Sequence, residues 1–134
     1  MATHLISLRE LSKKINAEIS MGRFPDYLLG DFIDDFRIRA KTREEKLALV
    51  GERPEPIESE EFKDVDAYLA AMAEYLCREA GLPPPDWTER PEYFLHEPWF
   101  AGGLENLKAI LLVESPVPFR RRNLFVSANA MTRV

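Results

Sequence analysis

Leu5, Leu8, Leu11, Ile15 and Ile19 recur every three or four residues, while Arg9, Glu10, Lys13, Lys14 and Glu18 fill the opposite side. That spacing predicts an amphipathic helix of about four turns. Met21-Gly22-Arg23-Phe24-Pro25-Asp26 interrupts it, with Gly22 suited to a C-terminal cap and Pro25 to the first turn of the next helix. The second helix extends to about Ala40 and buries Leu28, Leu29, Phe32, Ile33 and Phe36. Thr42-Arg43-Glu44-Glu45 has the form of a capping box, so a short third helix starts there and runs to about Val50, where Gly51 stops it.

Residues 51–64, GERPEPIESEEFKD, carry two prolines and a run of acids, and read as a connector rather than core. A fourth helix over about Val65–Ala80 has Val65, Tyr68, Leu69, Met72 and Leu76 on one face, Asp64 as its N-cap and Gly81 just past its end. Pro83-Pro84-Pro85 then removes three amide donors and favours extended chain. Seven of the fourteen aromatics follow between Trp87 and Phe125. Leu104, Leu107, Ile110 and Leu111 predict a fifth helix that is apolar nearly all round, and Ser115-Pro116 ends it. Phe119 to Phe125 fits a helical turn or a short strand equally well. The fold class is therefore all-α: a compact helical domain of five or six helices, with an N-terminal helical arm and an aromatic-rich C-terminal half. Residues 1–134 form a single domain, divided into an N-terminal helical part (1–50), the acidic connector (51–64) and a C-terminal helical part (65–134).

Composition narrows the function classes. The longest uncharged apolar run, Ala67 to Ala73, is far below the ~20 residues of a membrane-spanning helix. The N-terminus meets Arg9 and Glu10 before any signal-type apolar stretch develops, which points to a cytoplasmic protein without a membrane partner. Net charge is −5, but it is unevenly spread: residues 1–114 hold all 23 acids, whereas residues 115–134 hold Arg120, Arg121, Arg122 and Arg133 and no acid. Such a cationic strip can grip phosphate or fold back on acidic helices. The second is favoured because the acidic body repels a polyanion. On a regular element the three consecutive arginines point different ways, which predicts one buried against acids and two outside.

The residues that carry chemistry are sparse. Only His4 and His96 could serve as an imidazole base, and no second histidine stands four residues from either, so the zinc-protease pattern is absent. Asp31, Asp34 and Asp35 form the best carboxylate cluster, but the buried stripe of the same helix turns them outward and Asp35 can pair with Arg39. Gly102-Gly103 matches neither phosphate-loop spacing and reads as a tight helix entry. Cys77, the only cysteine, sits at the edge of an apolar helical face as a small hydrophobe. No catalytic, metal or cofactor-binding residue is assigned.

Two stretches, Leu29-Gly30-Asp31-Phe32-Ile33-Asp34-Asp35-Phe36 and Pro98-Trp99-Phe100 through Phe119-Arg120-Arg121-Arg122-Asn123-Leu124-Phe125-Val126, resemble a family of short bacterial proteins of unknown biochemical function. The resemblance implies a link to toxin–antitoxin or regulatory gene pairs and brings no catalytic residues with it. The reading is a non-catalytic, antitoxin-like interaction or regulatory module that binds another protein or its own copy, as a homo-oligomer in the latter case. Its contact residues are Phe119, Arg120, Arg121, Arg122 and Phe125, since arginine with aromatics dominates protein interfaces. The alternative is nucleic-acid binding by the same tail, and the third a small-ligand enzyme built on His96 or the aspartates.

Overall fold

The helices begin where local chemistry starts them. In a computed structural model that describes residues 5–101 and 114–132, α1 spans Leu8–Ser20 and opens on a capping box: the Ser7 hydroxyl accepts the Glu10 amide, and the Glu10 carboxylate accepts the Ser7 amide. The helix stops at a turn in which Gly22 takes φ +86, a left-handed conformation costly for a side chain. Helix α2 covers Asp26–Asp34, with Pro25 just before it, and continues through a wider π-helical turn over Asp35–Arg39. The Ala40 amide closes that turn onto the Asp35 carbonyl at 2.8 Å, and Lys46 donates to the Phe36 carbonyl that the turn leaves free. Helix α3, Arg43–Val50, starts on the expected Thr42–Glu45 capping box.

Helix α4, Asp64–Glu79, is the central element, with Val65, Leu69, Met72, Leu76 and a run of alanines buried. Its start differs from the expectation. Asp64 is the first helical residue and not the cap; Lys63 holds the cap position with no side-chain hydrogen bond. A 3₁₀ turn over Glu60–Phe62 leads directly into the helix, so the chain arrives already helical. Its end is as expected: Gly81 at φ +74 lets the Leu82 amide reach back to the Cys77 carbonyl at 2.8 Å.

The connector is the larger correction. Ile57 is fully buried and Pro54 is buried, so residues 51–64 contribute to the core. The reason lies on α1. Ser12 and Asn16, on a polar side of that helix, hold the connector's backbone: the Ser12 hydroxyl accepts the Glu55 amide at 2.8 Å, and the Asn16 amide group donates to Pro56 and accepts from Glu58. Arg9 adds a bond to the Arg53 carbonyl and an ion pair with Glu55. The N-terminal helical arm is packed on both sides, with Leu8, Leu11 and Ile15 fully buried.

After the prolines, two 3₁₀ turns (Asp86–Glu89 and Pro91–Tyr93) bury Trp87, whose indole N–H donates to the last carbonyl of α3, and Tyr93, whose ring meets Trp87 edge-on. The expected fifth helix over residues 104–113 and the Gly102-Gly103 turn lie outside the described residues, as does His4. Both readings of the Phe119–Phe125 stretch are realised in succession. A single helical turn, α5 (Val117–Arg120), is followed by Asn123 at φ +65 and by β2 (Leu124–Phe125). Strand β2 pairs in parallel with β1 (Trp99–Phe100). One contiguous core runs from Leu8 to Met131, and the fold is mainly α. No helix among the described residues is long and apolar enough to cross a membrane.

Candidate functional site

The C-terminal arginines are placed by α5 and the turn after it, and they divide as their spacing requires. Arg122 is fully buried. One of its terminal nitrogens donates to the Glu74 carboxylate at 2.6 Å and to the Pro118 carbonyl, and the other to the Thr88 carbonyl at 2.9 Å. Its guanidinium lies over the Phe94 ring, 4.8 Å from the centroid. Its Nε has no hydrogen-bond partner among the described residues. Arg121 bridges outward, donating to Glu74 at 2.8 Å and to both Glu89 oxygens at 2.7 Å. Arg78 reaches the other Glu74 oxygen at 2.7 Å. Arg120 alone of the three is exposed without such a tie among the described residues.

Glu74, on α4, thus gathers three guanidinium groups while being only 1% exposed. Burial pushes its carboxyl pKa up, but hydrogen bonds from Arg122, Arg78 and Arg121 outweigh that and leave it below the ordinary carboxylate value. The charged hydrogen bonds to Glu89 raise Arg121, whereas burial lowers Arg122. Both remain cationic. This cluster clamps the C-terminal segment onto α4.

Of the five contact residues expected from the sequence, Phe119 is fully buried against the Tyr68 and Tyr75 rings, and Phe125 is buried and stacked on Phe100 at 5.1 Å. With Arg122 they belong to the interior, because β-pairing and the Glu74 clamp turn them inward. Of the five, only Arg120 and part of Arg121 remain at the surface of this fold.

The other candidates are dispersed. Asp31 is exposed and Asp34 half-buried. Asp35, expected to face outward, is buried: it accepts the Ile6 amide at 3.1 Å and pairs with Arg39 at 2.7 Å. The π turn and the chain entering α1 cover it. His96 is an exposed loop residue beside a polar hollow that Arg53, Lys63, Asp66 and Glu92 also line. No group of three or more His, Cys, Asp or Glu among the described residues is placed to hold a metal ion. Cys77 is fully buried, and burial pushes its thiol up to about 11.

The feature that sequence reasoning missed is an apolar groove of about 500 Å³. Leu29 of α2 and Tyr68 of α4 line it with Phe24 and Phe62, the last two with rings 5.3 Å apart. Trp99, Val126 and Ala130 line it as well. Most of these side chains are only half-buried, so they keep apolar area available for contact. Two carboxylates, Asp26 and Asp64, are also part of the lining. Four separate stretches of chain meet here, which no linear pattern announces. Glu74 did leave a signal: it stands on the small-residue face Ala67, Ala70, Ala71 and Cys77, where a lone acid demands buried cations.

Searches against protein-family models, curated proteins and solved structures found no match to the chain.

Proposed function

We propose that the chain is a non-catalytic protein-binding module whose contact surface is the apolar groove, with antitoxin-like masking of a partner as the form that the sequence resemblance implies. The observation that carries this reading is the groove itself, where half-buried aromatic side chains from separate segments converge beside two carboxylates. Concave apolar surface with a few polar groups is what recognition sites are made of. Met21 and Tyr27, which flank Phe24 and Asp26 in the chain, are themselves 68% and 61% exposed.

The rival reading, nucleic-acid binding through the tail, loses support from the same geometry. Arg121 and Arg122 are engaged by Glu74 and Glu89, which leaves Arg120 as the one arginine of the triplet with no such tie. The triplet thus offers a single untied guanidinium, which neutralises about one phosphate, too few for strong binding by a chain of net charge −5; Arg133, the remaining cation of the strip, lies outside the described residues.

Affinity capture from the native host with three baits tests the assignment. The wild-type chain and Arg120→Glu should retain a common protein partner that Ala130→Trp, which fills the groove, releases. Retention by the groove-filled bait with release by Arg120→Glu would move the contact to the tail. Capture of nucleic acid that declines steeply with added salt would favour the rival.

A further inference from the structure

Asp26 and Asp64 are the first residues of α2 and α4, where an acid suits the positive end of the helix dipole. That role explains the residue type but not the surroundings. Both also line the groove, beside Phe62 and Tyr68; Asp26 stands exposed at its edge, whereas partial burial of Asp64 disfavours its bare negative charge. Asp64 is half-buried, and among the described residues only its own amide donates a hydrogen bond to its carboxylate. Neither carboxylate makes an ion pair within the described residues. The cations nearest in sequence are turned elsewhere: Arg23 pairs with Glu18 at 2.6 Å, and the charge of Lys63 acts on Asp66. The groove therefore combines apolar walls with uncompensated negative charge.

On the protein-binding reading above, we infer that the groove receives an apolar segment of a partner protein carrying a lysine or arginine, whose cation is met by Asp26 and Asp64. A volume of about 500 Å³ suits a few inserted side chains. A purely apolar ligand would bury the two carboxylates without relief, and an acidic one would add repulsion. A cation on an apolar stem answers both demands, because its methylenes lie along the aromatic walls while its charge stays with the acids.

The test uses the full chain and three fluorescent twelve-residue peptides with the same leucines, differing at one position as lysine, norleucine or glutamate. Anisotropy titration should rank them in that order, with lysine about fivefold tighter than norleucine, the scale of a partly exposed ion pair. The preference should vanish in Asp26→Asn/Asp64→Asn and shrink in high salt, while Ala130→Trp should weaken all three. Because the ranking is read on the unmodified chain, it does not depend on the folding of any variant. Equal binding of the lysine and norleucine peptides, still blocked by Ala130→Trp, would overturn the charge selection and leave the protein-binding reading intact. Absence of binding by all three, together with host partners that remain on the Ala130→Trp bait, would overturn both. Saturation of the groove by an apolar dye that no peptide displaces would overturn the inference in favour of a small apolar ligand, and dimerisation abolished by Ala130→Trp would do so in favour of a second copy.

Discussion

Replacing Glu74 by glutamine probes the clamp that fixes the C-terminal segment. In the native fold this carboxylate takes hydrogen bonds of 2.6, 2.8 and 2.7 Å from Arg122, Arg121 and Arg78. Arg122 is 0% exposed, so removing the opposing charge leaves a cation that water cannot reach. Breaking a buried ion pair on one side costs about 3–5 kcal/mol. The lower end applies here, because glutamine keeps the shape and one acceptor, and Arg121 and Arg78 can turn toward solvent. A loss of about 3 kcal/mol is a large share of the 5–15 kcal/mol typical of a domain, and corresponds to a fall in Tm of roughly 10 °C for a chain of this length. Urea denaturation followed by circular dichroism measures it directly. Arg78→Gln is the control: its side chain is 60% exposed, and its loss should cost no more than ~1 kcal/mol. Glu74→Leu/Arg122→Met should recover part of the loss by removing both charges, though the Pro118 and Thr88 carbonyls would still lack their donor. The pH dependence has a defined sign. Glu74 has a folded pKa below its ordinary 4.5, so its contribution is complete above that value and fades as the pH falls through the lower, folded one. Glu74→Gln should flatten this acid limb. A Glu74→Gln protein within about 1 kcal/mol of wild type, with an unchanged acid limb, would show that the clamp does not hold the tail.

Ile57→Ala should destabilise by about 2–5 kcal/mol in the same urea assay, the cost of emptying a fully buried site, whereas a solvated connector would lose almost nothing. Ser7→Ala removes the acceptor for the Glu10 amide and should cost about 1 kcal/mol, with helix content reduced by circular dichroism. Cys77, buried and with its thiol pushed up to about 11, should react with a thiol reagent at pH 8 only as fast as the chain opens, and at once in denaturant.

What the sequence determined by itself was local. Apolar spacing of three and four placed α1, α2 and α4, the Thr42–Glu45 capping box placed α3, and Gly22 and Gly81 marked ends correctly because those signals act within a turn of the chain. The same locality explains the split of the arginines, since consecutive residues on one turn cannot share a direction. Tertiary structure decided which acid receives the buried cation, and it chose Glu74, 48 residues away from Arg122. It also decided that an acidic, proline-containing stretch contributes Pro54 and Ile57 to the interior. Ile57 is the one apolar residue among its nearest neighbours, and its burial depends on Ser12 and Asn16, which hold the backbone beside it from more than 40 residues away. The groove is of this second kind. Phe24, Phe62, Tyr68 and Trp99 each look like ordinary core residues in their own segments, and only packing reveals that they stop short of closing over one another. Periodicity reports which face of an element is apolar; whether that face is fully covered depends on elements distant in the chain.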